Sequence, residues 1–304
     1  MNVSIAIVNW NTRNLLAHCL ESIFNGPPEG EFEIFVVDNG SSDGSPSMVR
    51  ECYPQVHLIE NKRNEGFARG NNQALRLSTG RWVMLLNPDT EIKPGAFKEL
   101  VRFLENHSEA GAIAPRILNP DGSLQYSCSP APSLMREAQR LLHWPGVRPD
   151  GYYPMNLWDL STPRQVDAML GACILIRRRS IDEVGLMDED YFMYSEEVDL
   201  CTRLKKANWG LYWVPQAQII HYGGQSTQQI AQEMFLQLYE SKLIYFRKHR
   251  GTLIAWLYKL LLGIASLLRI LTAPLALLQK PDRRQLHLIR IGNYKRLLAS
   301  LPNL

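Results

Sequence analysis

The chain has 304 residues, with 33 Lys and Arg against 30 Asp and Glu, a formal net charge of +3. Its 45% hydrophobic and 21% charged content can build a buried core and excludes intrinsic disorder, collagen and coiled coil. The length fits one large α/β domain or two smaller ones.

Val3-Ser4-Ile5-Ala6-Ile7-Val8 is too short for a signal peptide and reads as a first buried strand, over Ser4–Val8. Glu33–Val37, Val56–Ile59, Trp82–Leu86 and Ala112–Ala114 read as further strands. Between them lie helical patterns at Leu15–Phe24, Ser45–Glu51, Ala68–Leu77 and Ala96–Asn106. Strands alternating with helices of this length predict an α/β fold with a mostly parallel sheet covered on both faces. The less regular, proline-containing stretch from Asn119 to Pro163 is expected to be an insertion on the substrate side. A second block follows, with Val166–Ile176, a helix from Ser195 to Ala207, and two strands at Leu211–Val214 and Ala217–Ile220. The five cysteines form no C-x-x-C pair and make a poor disulfide framework, which predicts a reducing, cytosolic setting.

In open α/β sheets ligands gather at the carboxyl ends of the strands. Three polar segments would open on that rim: Asn9-Trp10-Asn11, Asp38-Asn39-Gly40-Ser41-Ser42-Asp43-Gly44, and Asn87-Pro88-Asp89. Asp38 could accept hydrogen bonds from a base or ribose, or simply make a turn, since its neighbours are turn formers. Asp89 could hold a divalent cation, which prefers oxygen ligands, or belong to a plain Asn-Pro-Asp turn. Asn64-Glu65-Gly66-Phe67-Ala68-Arg69-Gly70-Asn71-Asn72 opens a helix, and Gly66 there permits close backbone approach. No P-loop and no G-x-G-x-x-G is present. Ser195 reads as an N-cap for a helix whose first turn carries Glu196, Glu197 and Asp199. These acids suit the helix dipole, and one of them could instead face a cleft as a general base. His221, after a strand and before Gly223-Gly224, reads either as a structural histidine or as a metal ligand on a mobile loop.

In this order the segments resemble the inverting nucleotide-sugar glycosyltransferases of family 2, with the GT-A fold, over about the first 246 residues. The likeness rests on Val8-Asn9-Trp10-Asn11, Val36 to Gly44, Asn64 to Ala68, Leu86-Asn87-Pro88-Asp89, Gly171-Ala172-Cys173, Phe192-Met193-Tyr194, Glu196 to Leu200, and His221. Within the family it is similar to bacterial rhamnosyltransferase-like enzymes. The resemblance implies that Asp38 contacts the nucleotide base, with Asn9, Asn11, Asn64, Gly66 and Asn71 around the nucleotide. It implies that Asn87-Pro88-Asp89 stands in the place of D-x-D. Asp89 and His221 would then hold Mg²⁺ or Mn²⁺, and Gly171 and Ala172 would line the donor-sugar pocket. Glu197 falls where the family base is usually an Asp, with Glu196 as its rival. Two departures follow: Asn87 replaces the first acid of D-x-D, and Glu197 is one methylene longer than Asp. The Q-x-x-R-W pattern of processive synthases is missing, which implies transfer of one sugar from a dTDP- or UDP-sugar to a glycan or lipid-linked acceptor.

From Arg247 onward the chain has eleven Lys and Arg against one acid, Asp282, a net +10. The first 246 residues hold 22 Lys and Arg against 29 acids, a net −7. Residues 1–246 are therefore read as the catalytic domain and 247–304 as a basic, Leu-rich helical tail. Leu253–Leu278 is long enough to span a bilayer, yet both its flanks are basic. An in-plane anchor on the inner face of the cytoplasmic membrane fits that pattern. Packing on the body or an oligomer interface is the alternative. Nucleic acid is excluded as a partner by the acidic body and the lack of a binding motif. Two other functions bear on the same residues. A sugar nucleotidyltransferase would need a Gly-rich loop after the first strand, where Asn9-Trp10-Asn11-Thr12-Arg13 has no Gly. A catalytically degenerate nucleotide-sugar-binding scaffold would explain the substitutions at Asn87 and Glu197.

Overall fold

The computed structural model describes residues 2–142, 151–272 and 281–304. The first four strands are β1 (Val3–Asn9), β2 (Phe32–Asp38), β3 (His57–Glu60) and β4 (Trp82–Leu86). They alternate with α1 (Arg13–Asn25), α2 (Ser45–Cys52) and α3 (Phe67–Leu77). Then come β5 (Thr90–Ile92), α4 (Ala96–Asn106), β6 (Ala110–Leu118), β7 (Cys128–Ser129) and α5 (Leu134–Leu141). The second block contains β8 (Arg164–Gln165), β9 (Ala168–Met169), β10 (Cys173–Arg177), α6 (Arg178–Val184), α7 (Glu196–Lys206) and β11 (Gly210–His221). Three helices follow: α8 (Ala231–Arg250), α9 (Thr252–Leu271) and α10 (Pro281–Ser300).

Two compact units are present. The first comprises Met1–Ala131, Tyr152–Phe192 and Glu196–Gln229. Its sheet runs in the order β3-β2-β1-β4-β10-β6-β11-β5, with β8 on β11. The β3-β2-β1-β4 half is parallel, because β1 and β4 are apolar runs buried on both faces and each is joined by a helix. Beyond β4 the sheet is mixed: β10 is antiparallel to both β4 and β6, and β5 is antiparallel to β11. Helix α1 buries Leu16, Cys19, Leu20 and Ile23, one face at helical spacing. Phe97, Leu100, Phe103 and Leu104 do the same for α4.

Two sequence expectations change here. Leu211–Val214 and Ala217–Ile220 are one strand, β11, whose register against β6 shifts between Val214 and Gln218. Pro215 lies at that shift, where its missing N–H cannot serve the ladder while the chain stays extended. Val166–Ile176 divides into β9, which pairs with β7 in a separate two-stranded sheet, and β10. All five cysteines are free thiols, and burial pushes Cys19, Cys128 and Cys201 up to about 12, which leaves them inert.

The second unit comprises Pro132–Gly151, Met193–Ser195 and Ile230–Leu304. Residue 246 falls inside α8. Tyr239, Leu243, Tyr245 and Phe246 of α8 are buried, as are Tyr258, Leu262 and Ala265 of α9 and Leu297 of α10. A charged node lies among them. Glu137 of α5 is buried and accepts hydrogen bonds from Lys242 Nζ at 2.8 Å and Arg140 Nη2 at 2.7 Å. Burial raises its pKa, but the two cations outweigh that and hold the carboxyl below its ordinary range. The end of the expected apolar segment, to Leu278, lies outside the described residues.

Candidate active site

Strands β1, β2 and β4 run parallel, so Asn9, Asp38 and Asn87 emerge on one rim. Strand β10 is antiparallel to β4 with Cys173 opposite Leu86, which brings Gly171-Ala172 to the same rim. The N–H of Asn87 donates to the carbonyl of Ala172 at 2.9 Å. Strand β11 ends there too, with His221 opposite Thr90.

On the β1–β2 side the polar side chains bind one another. Asp38 is 1% exposed; one oxygen accepts from Asn9 Nδ2 at 2.9 Å and the other from the N–H of Ser41 at 2.8 Å. Asn11 has φ +52°, and its Oδ1 accepts from the N–H of Ser42 at 2.8 Å. In this geometry Asp38 holds two loops together and offers no open oxygen. Ser41 and Asp43 share the work: the Ser41 hydroxyl accepts from the N–H of Asn11, and Asp43 from the N–H of Arg13, each at 2.8 Å. Beside them is a groove of about 460 Å³, lined in part by Asn11, Arg13, Asp43, Gln225 and Gln229. Asn64 Oδ1 accepts from the N–H of Gly66 at 3.0 Å and from Asn39 Nδ2 at 3.2 Å. Asn71 is buried; its Nδ2 donates to the carbonyl of Phe67, and its Oδ1 has no hydrogen-bond partner.

At the end of β4 the Asn-Pro-Asp turn is closed by the Thr90 hydroxyl, which donates to the Asn87 carbonyl at 2.7 Å. The N–H of Tyr222 donates to the Asp89 carbonyl at 2.9 Å, locking β11 to this turn. Asp89 Oδ1 and His221 Nε2 are thereby 3.3 Å apart, with the two residues only 5% and 6% exposed. Asn87 Nδ2 lies 3.5 Å from the same Nε2, and Asn87 Oδ1 is buried without a hydrogen-bond partner. Carboxylate and imidazole form an N/O donor pair suited to a divalent cation, with the Asn87 amide beside them. Among the described residues no three His, Cys, Asp or Glu side chains converge as a full metal cage. A site of this kind fits Mg²⁺ or Mn²⁺, which keeps positions free for substrate phosphates and water.

Helix α7 supplies the two glutamates. Glu196 is 3% exposed, and burial, with the neighbouring Glu197 charge second, drives its pKa well above the carboxylate range. Glu197 is half-buried, and its Cβ and Cγ lie 3.6 and 3.7 Å from where a Cβ on Gly171 would stand. A Cβ at position 171 would make ordinary van der Waals contact with Glu197 and Phe67. Ser195, immediately before α7, has φ +68°, following +67° at Tyr194, a left-handed pair rather than the extended conformation usual at a cap. Sequence reasoning missed Gln125, whose Oε1 lies 2.6 Å from His221 Nδ1. No motif marks it, because it comes from the irregular insertion.

A profile described as Glycosyl transferase family 2 matches residues 4–185. The chain belongs to glycosyl transferase family 2. It is 33% identical over 218 residues to N-acetylglucosaminyl-diphospho-decaprenol L-rhamnosyltransferase of Mycobacterium tuberculosis, covering 66% of this chain and 69% of that protein. It is 30% identical over 214 residues to the low-salt glycan biosynthesis hexosyltransferase Agl10 of Haloferax volcanii, covering 68% of this chain and 62% of that one. In fold it resembles the mannosyltransferase PcManGT from Pyrobaculum calidifontis, solved with GDP-Man and Mn²⁺. There the TM-score is 0.58 at 17% identity, over 99% of this chain and 84% of that one. GalNAc-T7, solved with UDP, GalNAc and Mn²⁺, gives 0.55 at 16% identity over 73% of this chain and 44% of that one. This family 2 chain is thus a glycosyltransferase with the GT-A fold. In open α/β sheets the rim of strand ends is where ligands gather.

Proposed function

We propose that this enzyme moves one rhamnosyl unit from dTDP-rhamnose to a hydroxyl of a lipid-linked glycan, with inversion, in the synthesis of a cell-surface polysaccharide. The observation that carries the chemistry is the convergence of Asn87, Asp89 and His221 on the rim where Glu197 lines the wall beside Gly171. The sugar and the lipid-linked acceptor rest on the printed activity of the mycobacterial relative.

Asp89 and His221 would hold the cation, with Asn87 beside them, and Asn9, Asn11, Asp38, Asn64, Gly66 and Asn71 would shape the nucleotide side. A bound Mg²⁺ or Mn²⁺ supplies positive charge beside the donor diphosphate. Glu197 accepts the proton of the acceptor hydroxyl as that oxygen bonds to the anomeric carbon. The bond from that carbon to the diphosphate oxygen breaks, and its electron pair leaves with the nucleoside diphosphate. Gly171 and Ala172 keep room for the sugar. Burial of Glu196 beside Glu197 disfavours a second negative charge next to the base.

The test is release of nucleoside diphosphate and sugar transfer with a lipid-linked acceptor, across a panel of nucleotide sugars with and without Mn²⁺. A dTDP-sugar is expected to stabilise the protein most, and only with the cation. Glu197→Gln and Asp89→Ala are each expected to lower turnover by roughly 10²–10⁴-fold. Full activity in both variants would overturn the assignment, and preference for a UDP-sugar would overturn the rhamnosyl part.

We also infer a peripheral site of action on the inner face of the cytoplasmic membrane. Helix α9 is long and apolar enough by length and composition to cross a bilayer, with 28% of its apolar window buried. It leaves Leu253, Trp256, Leu260, Ile264, Leu267 and Leu271 exposed at i, i+3 and i+4 spacing, and it contains no acid. Its Lys259 ammonium sits 5.1 Å over the Trp256 ring. The last turn of α8 adds Arg247, Lys248, His249 and Arg250. An apolar stripe beside cations suits an in-plane helix on anionic lipid.

A further inference from the structure

We propose that the turn from Asn119 to Gln125 is a positioning relay that fixes His221 as the Nδ1–H tautomer and so presents the Nε2 lone pair to the cation site. This rests on the reading of Asp89 and His221 as cation ligands, and it names a positioning residue, Gln125, for that site.

The direction of every hydrogen bond in the turn follows from its far end. The Ser123 hydroxyl donates to Asp121 Oδ1 at 2.6 Å. With its proton so committed, the Ser123 oxygen must accept from Asn119 Nδ2, 2.9 Å away. That sets the Asn119 amide, and its Oδ1 turns to Gln125, accepting from Nε2 at 2.8 Å. The same Nε2 donates to the backbone carbonyl of His221 at 3.2 Å. Two acceptors on one side of the Gln125 amide leave only its Oε1 to meet the ring. Oε1 lies 2.6 Å from His221 Nδ1, so Nδ1 carries the proton. In the neutral ring Nε2 is then an acceptor, 3.5 Å from the Asn87 Nδ2 donor and 3.3 Å from another acceptor, Asp89 Oδ1. These two acceptors, a carboxylate oxygen and a ring nitrogen, face each other as a shared cation would hold them. The opposite tautomer would put an N–H on Nε2, donate it to Asp89 and close the site. The backbone supports this placement: the N–H of Gln125 donates to the Ile117 carbonyl at 2.9 Å, and Leu118 bridges Leu124.

The test uses the full chain with ¹⁵N-labelled histidine, with the His221 signals identified by their loss in His221→Ala. The neutral wild-type ring is expected to show a protonated Nδ1 and an unprotonated Nε2. Gln125→Leu is expected to mix the tautomers and to weaken Mn²⁺ binding, read by calorimetry, by roughly 10–100-fold. Gln125→Glu keeps an acceptor opposite Nδ1 and is expected to bind Mn²⁺ within about three-fold of wild type. A wild-type ring protonated on Nε2 would overturn the relay. So would Gln125→Leu matching wild type in tautomer and Mn²⁺ affinity, or equal losses in both Gln125 variants, which would mark general damage to the turn. A wild type that has the Nδ1–H ring but fails to bind Mn²⁺ removes the cation reading and with it the proposed purpose of the relay.

Discussion

Glu196 and Glu197 are adjacent in sequence and occupy opposite surroundings. Successive helical residues point about 100° apart, so one side chain enters the interior while the other borders Gly171. Burial, with the Glu197 charge second, raises the Glu196 pKa well above the carboxylate range. Its folded pKa lies above its unfolded one, so the native state binds the extra proton between the two. Its contribution is therefore most favourable below about pH 4 and declines as pH rises toward the folded pKa. Glu196→Gln removes that slope. The variant is expected to melt at a higher temperature than wild type at pH 8, with little difference near pH 4, while keeping turnover within a few-fold. A melting series in matched buffers, alongside transfer assays, checks both parts. Loss of turnover on the scale of Glu197→Gln would make Glu196 the base.

At the scale of elements, the segment entering α3 shows how backbone geometry prepares the rim. Gly66 has φ +87°, and a Cβ there would stand 2.5 Å from the carbonyl oxygen of Phe192. That carbonyl also accepts from the N–H of Phe67 at 2.8 Å. The close approach read from the glycine is thus to the Phe192 strap, which precedes α7. Gly66→Ala combines a left-handed φ with a backbone clash. It is expected to cost ~1–3 kcal/mol, a fall of about 3–10 °C in Tm. It is also expected to raise the KM for the nucleotide sugar, because Asn64 accepts from the Gly66 N–H and would move with it. Thermal unfolding with and without donor measures both, and an unchanged Tm would contradict the strain argument.

Across the whole molecule, charge is divided unevenly, −7 over residues 1–246 and +10 over residues 247–304. Under the proposed function, an acidic body taking an anionic donor needs positive charge supplied locally, as a cation would do. The basic helices carry the opposite sign and an exposed apolar stripe. In flotation with vesicles containing about one-third anionic lipid, the full chain is expected to float, less so as salt rises. Leu260→Glu with Ile264→Glu places two charges in the stripe and is expected to reduce the floated fraction at least about ten-fold with the circular dichroism unchanged. Flotation equal to wild type would show that this face does not meet lipid, and a change in oligomeric state would assign it to a second copy of the chain.

The alternation of apolar runs with helical faces sufficed to place β1, β2, β4, α1 and α4 to within a residue or two, because buried strands and one-sided helices leave short-range periodicity. The order of the polar strand ends pointed to the family, since each motif follows its own strand. Three features were decided only in the folded chain. The sheet turns antiparallel at β10, and β5, a three-residue strand, pairs with β11; neither pairing leaves a local signature. Glu196 and Glu197 are separated by which way each side chain points once α7 packs, a property of neighbours distant in sequence. Gln125 meets His221 across 96 positions, and no spacing rule reaches that far. The sequence by itself determined which residues could do chemistry at the strand ends, because those types are needed wherever the chain turns there. Tertiary structure decided which atoms face the site, because burial, tautomer and charge depend on contacts made only when distant segments meet.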